Sequence, residues 1–172
     1  MTHNRRLYLD LDGVLADFDA HFEYSFGVHP RTADGAGVLW DNINSYPTFF
    51  ADLPMFEDTL WFFRRVQSLN PKIITACPKT NYHDVAFQKR QWVYKNLGDF
   101  EVLPVMGGKN KVLFMHSPGD VLVDDFEKNL KPWTKHGGVS IHHSSLEDSL
   151  NKLETYFDIQ IQPQPSIPFK VL

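Results

Sequence analysis

The sequence predicts an α/β fold, with a doubly wound, mainly parallel sheet and a small helical cap inserted after the first strand. Short apolar runs of strand length alternate with longer helical patterns along most of the 172 residues. Such alternation is typical of strand–helix–strand units that build a parallel sheet. The length fits one compact domain that carries a small insertion.

Five short apolar runs predict the strands of this sheet, because parallel strands are buried on both faces and are mostly apolar. In chain order they are residues 7–11, 72–76, 101–106, 121–123 and 138–142. Four helices are predicted at residues 58–68, 82–96, 129–136 and 146–156. The second ends at Gly98, a good C-terminal stop, and Ser144 or Ser145 caps the last.

One segment interrupts the alternation of strands and helices. Residues 17–54 contain helical stretches and many aromatic side chains but no convincing strand, and we interpret them as the helical cap insertion. Residues 1–16 and 55–160 then form the α/β core. Residues 161–172 are rich in proline and lack a periodic pattern, which predicts an extended C-terminal tail.

Composition narrows the function classes. The formal net charge is -4 with no long basic run, so we expect no polymeric nucleic acid partner, although a small anionic substrate is compatible with it. The single cysteine, Cys77, excludes disulfides and zinc clusters within the chain. No segment suits a signal peptide or a membrane span, so we expect a cytoplasmic protein without a membrane partner. The oligomeric state stays open, with a homodimer as one arrangement.

Reactive side chains follow or end several of the predicted strands, and ligands of open α/β sheets bind at the carboxyl ends of strands. They are Asp10 and Asp12 at the end of the first strand, Thr75 and Ala76 at the end of the second, Lys111 before the fourth, and Asp124 and Asp125 at its end. Clustered carboxylates repel one another and favour a bound cation. Oxygen ligands suit Mg²⁺, whose remaining coordination goes naturally to a substrate phosphate.

The two aspartates of the first cluster can take different roles. A carboxylate can act as a nucleophile that forms an aspartyl-phosphate, and Asp10 is the candidate. If the strand ends after Asp10, a turn at Gly13 can bring Asp12 back over the site. Asp12 could then donate a proton to the leaving oxygen and later activate water.

The string DLDGVLAD at residues 10–17 resembles the first motif of the haloacid-dehalogenase-like phosphatases. Thr75, Lys111 and the pair Asp124-Asp125 follow in the order of that superfamily's later motifs. The resemblance implies a nucleophilic Asp10 and a general acid/base Asp12. It also implies Mg²⁺ held by Asp10, by the backbone carbonyl of Asp12 and by an acidic residue of the last motif.

Over roughly residues 7–150 the chain resembles the 5′(3′)-deoxyribonucleotidases more closely. The similar segments are LADF at 15–18, FFADLP at 49–54, ITACP at 74–78 and VLVDD at 121–125. The resemblance implies a nucleoside monophosphate substrate, with phosphate removed from deoxyribonucleotides. By position it places Phe18 in the base pocket, and Thr75, Ala76, Lys89 and Lys111 near the phosphate or the nucleoside.

Other points stay open at the level of sequence. The family often has serine where this chain has Ala76. Residues 33–48 align poorly with the family, and Trp40 is the best candidate in that region for stacking on a base. Lys109 competes with Lys111 for the phosphate-binding role, and either Asp124 or Asp125 could bind the metal directly. The base, the sugar and the 5′ or 3′ position are also open.

Two alternative functions share most of these features. A phosphatase of the same superfamily could act on another small phosphate ester or on a polynucleotide end. A non-catalytic phospho-receiver domain also combines an acidic cluster with Mg²⁺, a threonine and a lysine. Receivers place the acidic pair at the first strand and the phosphorylated aspartate at a later one, whereas here the Asp-x-Asp motif comes first, which favours the phosphatase.

Overall fold

Five strands form one parallel sheet in the computed structural model of the protein, which describes residues 5–32 and 35–159. The strands are β1 (Leu7–Leu9), β2 (Lys72–Cys77), β3 (Val102–Met106), β4 (Val121–Asp124) and β5 (Val139–His142). Their order across the sheet is β3-β2-β1-β4-β5, and every neighbouring pair is parallel. The first strand therefore lies at the centre, between β2 and β4.

Over the described ranges, six α-helices connect or flank these strands. They are α1 (Phe18–Phe26), α2 (Gly35–Asn44), α3 (Thr59–Val66), α4 (Tyr82–Asn96), α5 (Glu127–Lys135) and α6 (Leu146–Leu153). Two 3₁₀ helices, Gln67–Leu69 and Gly108–Phe114, lie before β2 and β4. The predicted α/β class with a doubly wound parallel sheet is thus confirmed.

Alternating residues of β1 face opposite layers of helices, as a strand buried on both faces requires. Leu7 and Leu9 join the large core that includes α3, α4 and α6. Tyr8 joins a smaller core on the other face, where its ring meets Trp133 of α5 edge-on at 5.0 Å. The Trp133 indole N–H is satisfied by the carbonyl oxygen of Asp120 at 3.0 Å.

The aromatic insertion packs into the same large core as the sheet. Its buried members include Phe22, Phe49 and Phe50. The chain enters and leaves the insertion at one place, because the Asp17 amide donates to the carbonyl of Pro54 at 2.8 Å. The segment predicted as a cap therefore leaves the core and returns to it at adjacent points, with Phe22, Phe49 and Phe50 buried and Tyr24 exposed.

Element boundaries differ from the predicted ones where the chain makes side-chain or turn contacts that a periodic pattern does not encode. The first strand stops at Leu9 instead of residue 11, because the Leu11 carbonyl accepts the amides of Leu15 and Ala16 and starts a tight loop. The last helix is capped by Ser145, which resolves the choice between two serines, and it ends three residues early, at Leu153.

Two further observations bear on the predicted organisation. The proposed tail, residues 161–172, lies outside the described residues. Within residues 5–32 and 35–159, the helices are all too short or too polar to cross a bilayer.

Candidate active site

The carboxyl ends of the three central strands bring the predicted site together. Asp10 directly follows β1, Thr75 lies near the end of β2, and Asp124 is the last residue of β4. Because β1 lies between β2 and β4 in parallel register, these side chains reach the same edge of the sheet. All three are buried.

A tight loop after β1 returns Asp12 to this edge. The amide of Gly13 donates to the Ala16 carbonyl at 2.8 Å, and Gly13 has a positive φ of 80°. Such a φ is readily adopted only by glycine. The strand therefore ends at Leu9, before both aspartates, and the loop that follows it carries Asp12 back over the site.

Lys111 joins two carboxylates of the site. Its ammonium lies 2.8 Å from Asp10 Oδ1 and 2.6 Å from Asp124 Oδ2, and all three side chains are buried. Lys109, the rival in the sequence analysis, is exposed in the same 3₁₀ helix. Of the two lysines, the fold thus brings Lys111 to the carboxylates.

Asp10 is oriented by two donors that reach the same oxygen. The backbone amide of Leu11 donates to Asp10 Oδ1 at 2.8 Å, and Lys111 contacts that oxygen too. Both donors thus hold the carboxylate through Oδ1.

The two aspartates of the last motif have different surroundings. Asp124 accepts bonds from the Phe126 amide at 2.8 Å and from the Asn129 side chain at 3.2 Å, in addition to Lys111. Asp125 is less buried and meets the Arg31 guanidinium at 3.3 Å. The carboxylate of Asp124 is thus engaged by three neighbouring donors, whereas the carboxylate of Asp125 is more accessible to solvent.

A second lysine lies on the opposite side of the cluster. The buried ammonium of Lys89 donates to Asp12 Oδ2 at 2.6 Å, to Thr75 Oγ1 at 2.9 Å and to the Ala76 carbonyl at 2.7 Å. These bonds account for the three donors of an ammonium group. A direct bond from Lys89 to a substrate would require it to give up one of them.

Charge balance at the cluster favours a divalent cation. Oxygens of Asp10, Asp124 and Asp125 lie within 4.8 Å of one another. With Asp12 there are four carboxylates against Lys89, Lys111 and the guanidinium of Arg31, which leaves an excess of one negative charge when all are ionised. All-oxygen donors of this charge fit Mg²⁺.

The pKa values of the buried groups in the cluster reflect the same repulsion among its carboxylates. Burial raises the pKa of Asp10 well above its ordinary value; Lys111 opposes the rise, and the carboxylate of Asp124 adds to it. Burial alone would lower the pKa of Lys111, but Asp10 and Asp124 outweigh it and the pKa is raised. Burial and the charge of Asp124 raise the pKa of Asp125. A cation at these oxygens would relieve the repulsion among them.

The insertion places aromatic rings beside the cluster. Phe50 lies under the ammonium of Lys89, 4.6 Å from the ring centroid. The half-buried Phe18 contacts the Phe50 ring at 6.3 Å between centroids. Trp40 is half-buried in α2 and packs against the large core. The structure thus links Phe18 to the site through Phe50, while the stacking role of Trp40 stays a prediction.

Three residues of this region were missed by the sequence analysis. Asn129 holds Asp124, and its spacing after the Asp-Asp pair, on the first turn of α5, was an available signal. Gln88 accepts the Phe50 amide at 3.0 Å and donates to the Pro47 carbonyl at 3.0 Å, which ties the insertion to α4. Nothing local to Gln88 or Arg31 indicated these partners.

Replacing Gly13 by alanine should disturb the cluster. A Cβ there would lie 2.5 Å from Asp125 Oδ2, and the φ of 80° disfavours any L side chain. We expect Gly13→Ala to lower the free energy of unfolding by about 1–3 kcal/mol, measured by urea denaturation. Gly27→Ala is the matched control, since its φ is 69° but its Cβ would meet nothing within 4 Å. Equal losses in the two variants would show that the contact with Asp125 is unimportant.

The chain is similar in sequence and in fold to known proteins. No family model matches the chain. The human 5′(3′)-deoxyribonucleotidase of cytosolic type is 26% identical over 152 residues, which cover 73% of this chain and 72% of that protein. The crystal structure of a hydrolase from Streptococcus pneumoniae TIGR4 superposes with a TM-score of 0.53 at 10% identity, covering 88% of this chain and all of the other.

The chain resembles the haloacid-dehalogenase-like phosphatases. That resemblance, predicted from the motifs at residues 10–17, 75, 111 and 124–125, is confirmed. The haloacid-dehalogenase-like resemblance and the α/β fold agree, since the motif residues fall at the carboxyl edge of the sheet.

Proposed function

We propose that this protein is a Mg²⁺-dependent phosphatase that hydrolyses deoxyribonucleoside monophosphates through an aspartyl-phosphate on Asp10. The arrangement of Asp10 carries the proposal. Its Oδ1 is held by Lys111 and by the Leu11 amide, and in this proposal Oδ2 attacks the phosphorus. A carboxylate oriented in this way at a cation-seeking cluster suits nucleophilic attack on phosphorus.

In this proposal, Mg²⁺ is held by Asp10, by the backbone carbonyl of Asp12 and by Asp125. Asp125 is preferred over Asp124 because Asp124 already accepts bonds from Lys111, Asn129 and the Phe126 amide. When bound, the ion supplies neutralisation of the phosphate charge that would otherwise repel the attacking carboxylate.

The residues of the chain then divide the reaction into two displacements. Asp10 Oδ2 forms a bond to phosphorus as the ester P–O bond breaks, and Asp12 gives its proton to the leaving alcohol. Water next attacks the phosphoryl group while Asp12 takes the proton, and the Asp10–phosphate bond breaks. Asp12 Oδ1 is buried with no hydrogen-bond partner among the described residues, which makes it the oxygen available for proton transfer.

Phosphate recognition is assigned to groups beside Asp10. Lys111 supplies positive charge. The Thr75 hydroxyl accepts from Lys89, so its own proton is free to be donated to a phosphate oxygen. Ala76 lacks a hydroxyl, and its backbone amide takes the place of the serine that the deoxyribonucleotidases often have there. Lys89 completes the proposed substrate-binding set by orienting Asp12 and Thr75.

Substrate choice rests on the aromatic insertion and on the name of the human relative. Phe18 and Trp40 are the proposed contacts for the nucleobase, and both come from the insertion over residues 17–54. The net charge of -4 gives no support for a polynucleotide substrate, whose binding relies on basic surfaces. A nucleoside monophosphate offers one base for the aromatic side chains and one phosphate for the cluster.

A panel of phosphate esters tests the proposed function. Purified protein is assayed for phosphate release from dUMP, dTMP, ribonucleotides, sugar phosphates and 5′- or 3′-phosphorylated oligonucleotides, with Mg²⁺ or with EDTA. We expect the deoxyribonucleoside monophosphates to exceed sugar phosphates by about ten-fold or more in kcat/KM, with activity lost in EDTA. Preference for sugar phosphates or oligonucleotide ends would favour the alternative phosphatase and reject the nucleotide substrate.

A further inference from the structure

One side chain of the insertion reaches the candidate metal cluster. Arg31 lies in the loop between α1 and α2, and its side chain is 61% exposed. Its Nε donates to Asp19 Oδ2 at 2.9 Å, and its Nη2 lies 3.3 Å from Asp125 Oδ2. The guanidinium is thus held by Asp19 at the rim, with one edge turned toward Asp125.

The surroundings of the Asp125 carboxylate favour a nearby cation. Burial and the neighbouring Asp124 raise its pKa, and Arg31 is the foremost group that lowers it. Lys111 contacts Asp10 and Asp124, and Lys89 contacts Asp12, so both buried lysines are committed to other carboxylates. Among the described ion pairs, the positive partner of Asp125 is Arg31.

The open side of Asp125 is also restricted. Its carboxylate packs against Gly13, where even a methyl group would collide with Oδ2 at 2.5 Å. The same oxygen is the one that Arg31 contacts. A cation shared with Asp10 and Asp124 must therefore compete with the guanidinium for this carboxylate.

We infer that Arg31 is a resident counter-ion of Asp125 that a divalent cation displaces. The inference rests on the proposed function, because it assigns Asp125 to the metal. A divalent ion at the cluster repels the guanidinium and satisfies Asp125 more fully than one exposed arginine does. Arg31 then stays near the rim through Asp19. Its present contact with Asp125 acts against metal binding.

The expected change in Mg²⁺ affinity is opposite in direction to the change that structural damage would cause. Removing Arg31 takes away a competing cation, so Mg²⁺ should bind more tightly. An exposed ion pair contributes little, and the dissociation constant should fall by about two- to five-fold. Damage to the cluster would instead weaken Mg²⁺ binding. Because the pair is exposed, the difference should shrink in high salt.

Isothermal titration calorimetry with MgCl₂ and no substrate tests this inference. The wild-type protein is compared with Arg31→Ala and with Arg31→Lys, which keeps the charge. Arg64→Ala is the matched control, because it removes one positive charge from an exposed position on α3. We expect tighter binding for Arg31→Ala alone, with Arg31→Lys near the wild type.

The outcomes separate this inference from the proposed function. Equal or weaker binding by Arg31→Ala, or equal tightening by Arg64→Ala, would overturn the counter-ion role while the metal site stands. If the wild-type protein binds no Mg²⁺ at millimolar concentrations, both the metal-dependent function and the inference are wrong. Thermal melting of each variant checks that the fold is intact.

Discussion

Phosphate release should fall by roughly a thousand-fold or more in Asp10→Asn. The amide cannot form the acyl phosphate, yet its oxygen can still accept from the Leu11 amide and from Lys111 at the position of Oδ1. The substitution also removes one buried negative charge from a cluster that has an excess of them. We therefore expect lost turnover with a retained fold, measured by phosphate release and by thermal melting.

A matched control and a trapping experiment sharpen this prediction. Asp99→Asn makes the same change at an exposed position and should keep full activity. Wild-type protein quenched during turnover should carry a phosphoryl group on the peptide that contains Asp10, detected by mass spectrometry. Turnover within ten-fold of the wild type in Asp10→Asn would reject the nucleophile. An acyl-phosphate that persisted without turnover would favour the phospho-receiver alternative.

Loss of Lys111 should destabilise the protein strongly. Its ammonium is fully buried between Asp10 and Asp124, at 2.8 Å and 2.6 Å. Lys111→Met fills similar space but leaves two buried carboxylates without their shared cation. Breaking a buried ion pair on one side costs about 3–5 kcal/mol, and we expect a loss of this size in urea denaturation without added metal.

Two further variants identify the cause of that loss. Lys109→Met, in the same 3₁₀ helix but exposed, should leave the free energy of unfolding nearly unchanged. Lys111→Met combined with Asp124→Asn should recover part of the stability, because one of the unpaired charges is then absent. A loss below about 1 kcal/mol in Lys111→Met would show that the pairing contributes little in the folded state.

Much of the fold was predictable because its signals are local. Five short apolar runs and the helical patterns between them determined the strands, the parallel sheet and the α/β class. The turn at Gly13, which follows the end of β1 and returns Asp12 to the site, depends on residues adjacent in the chain. A sequence can encode such features within a few residues, so the first motif and its position at a strand end were determined by sequence alone.

The partners of the charged side chains were decided only by the tertiary structure. Lys89 and Asp12 are 77 residues apart, and Arg31 and Asp125 are 94 apart, yet each pair meets at the edge of the sheet. No periodic pattern links residues at such distances, since their contact depends on how strands and insertion pack.

The same physical reason explains the choices that the sequence left open. Lys109 and Lys111 are the same residue type two positions apart, but the side chain of Lys109 is exposed and that of Lys111 is buried in the core. Asp124 and Asp125 are neighbours in the chain, but Lys111 and Asn129 engage the first and leave the second to Arg31. Local sequence determined which strand ends carry reactive groups. Packing around β1 decided which of those groups face one another, because burial and charge pairing depend on the whole fold.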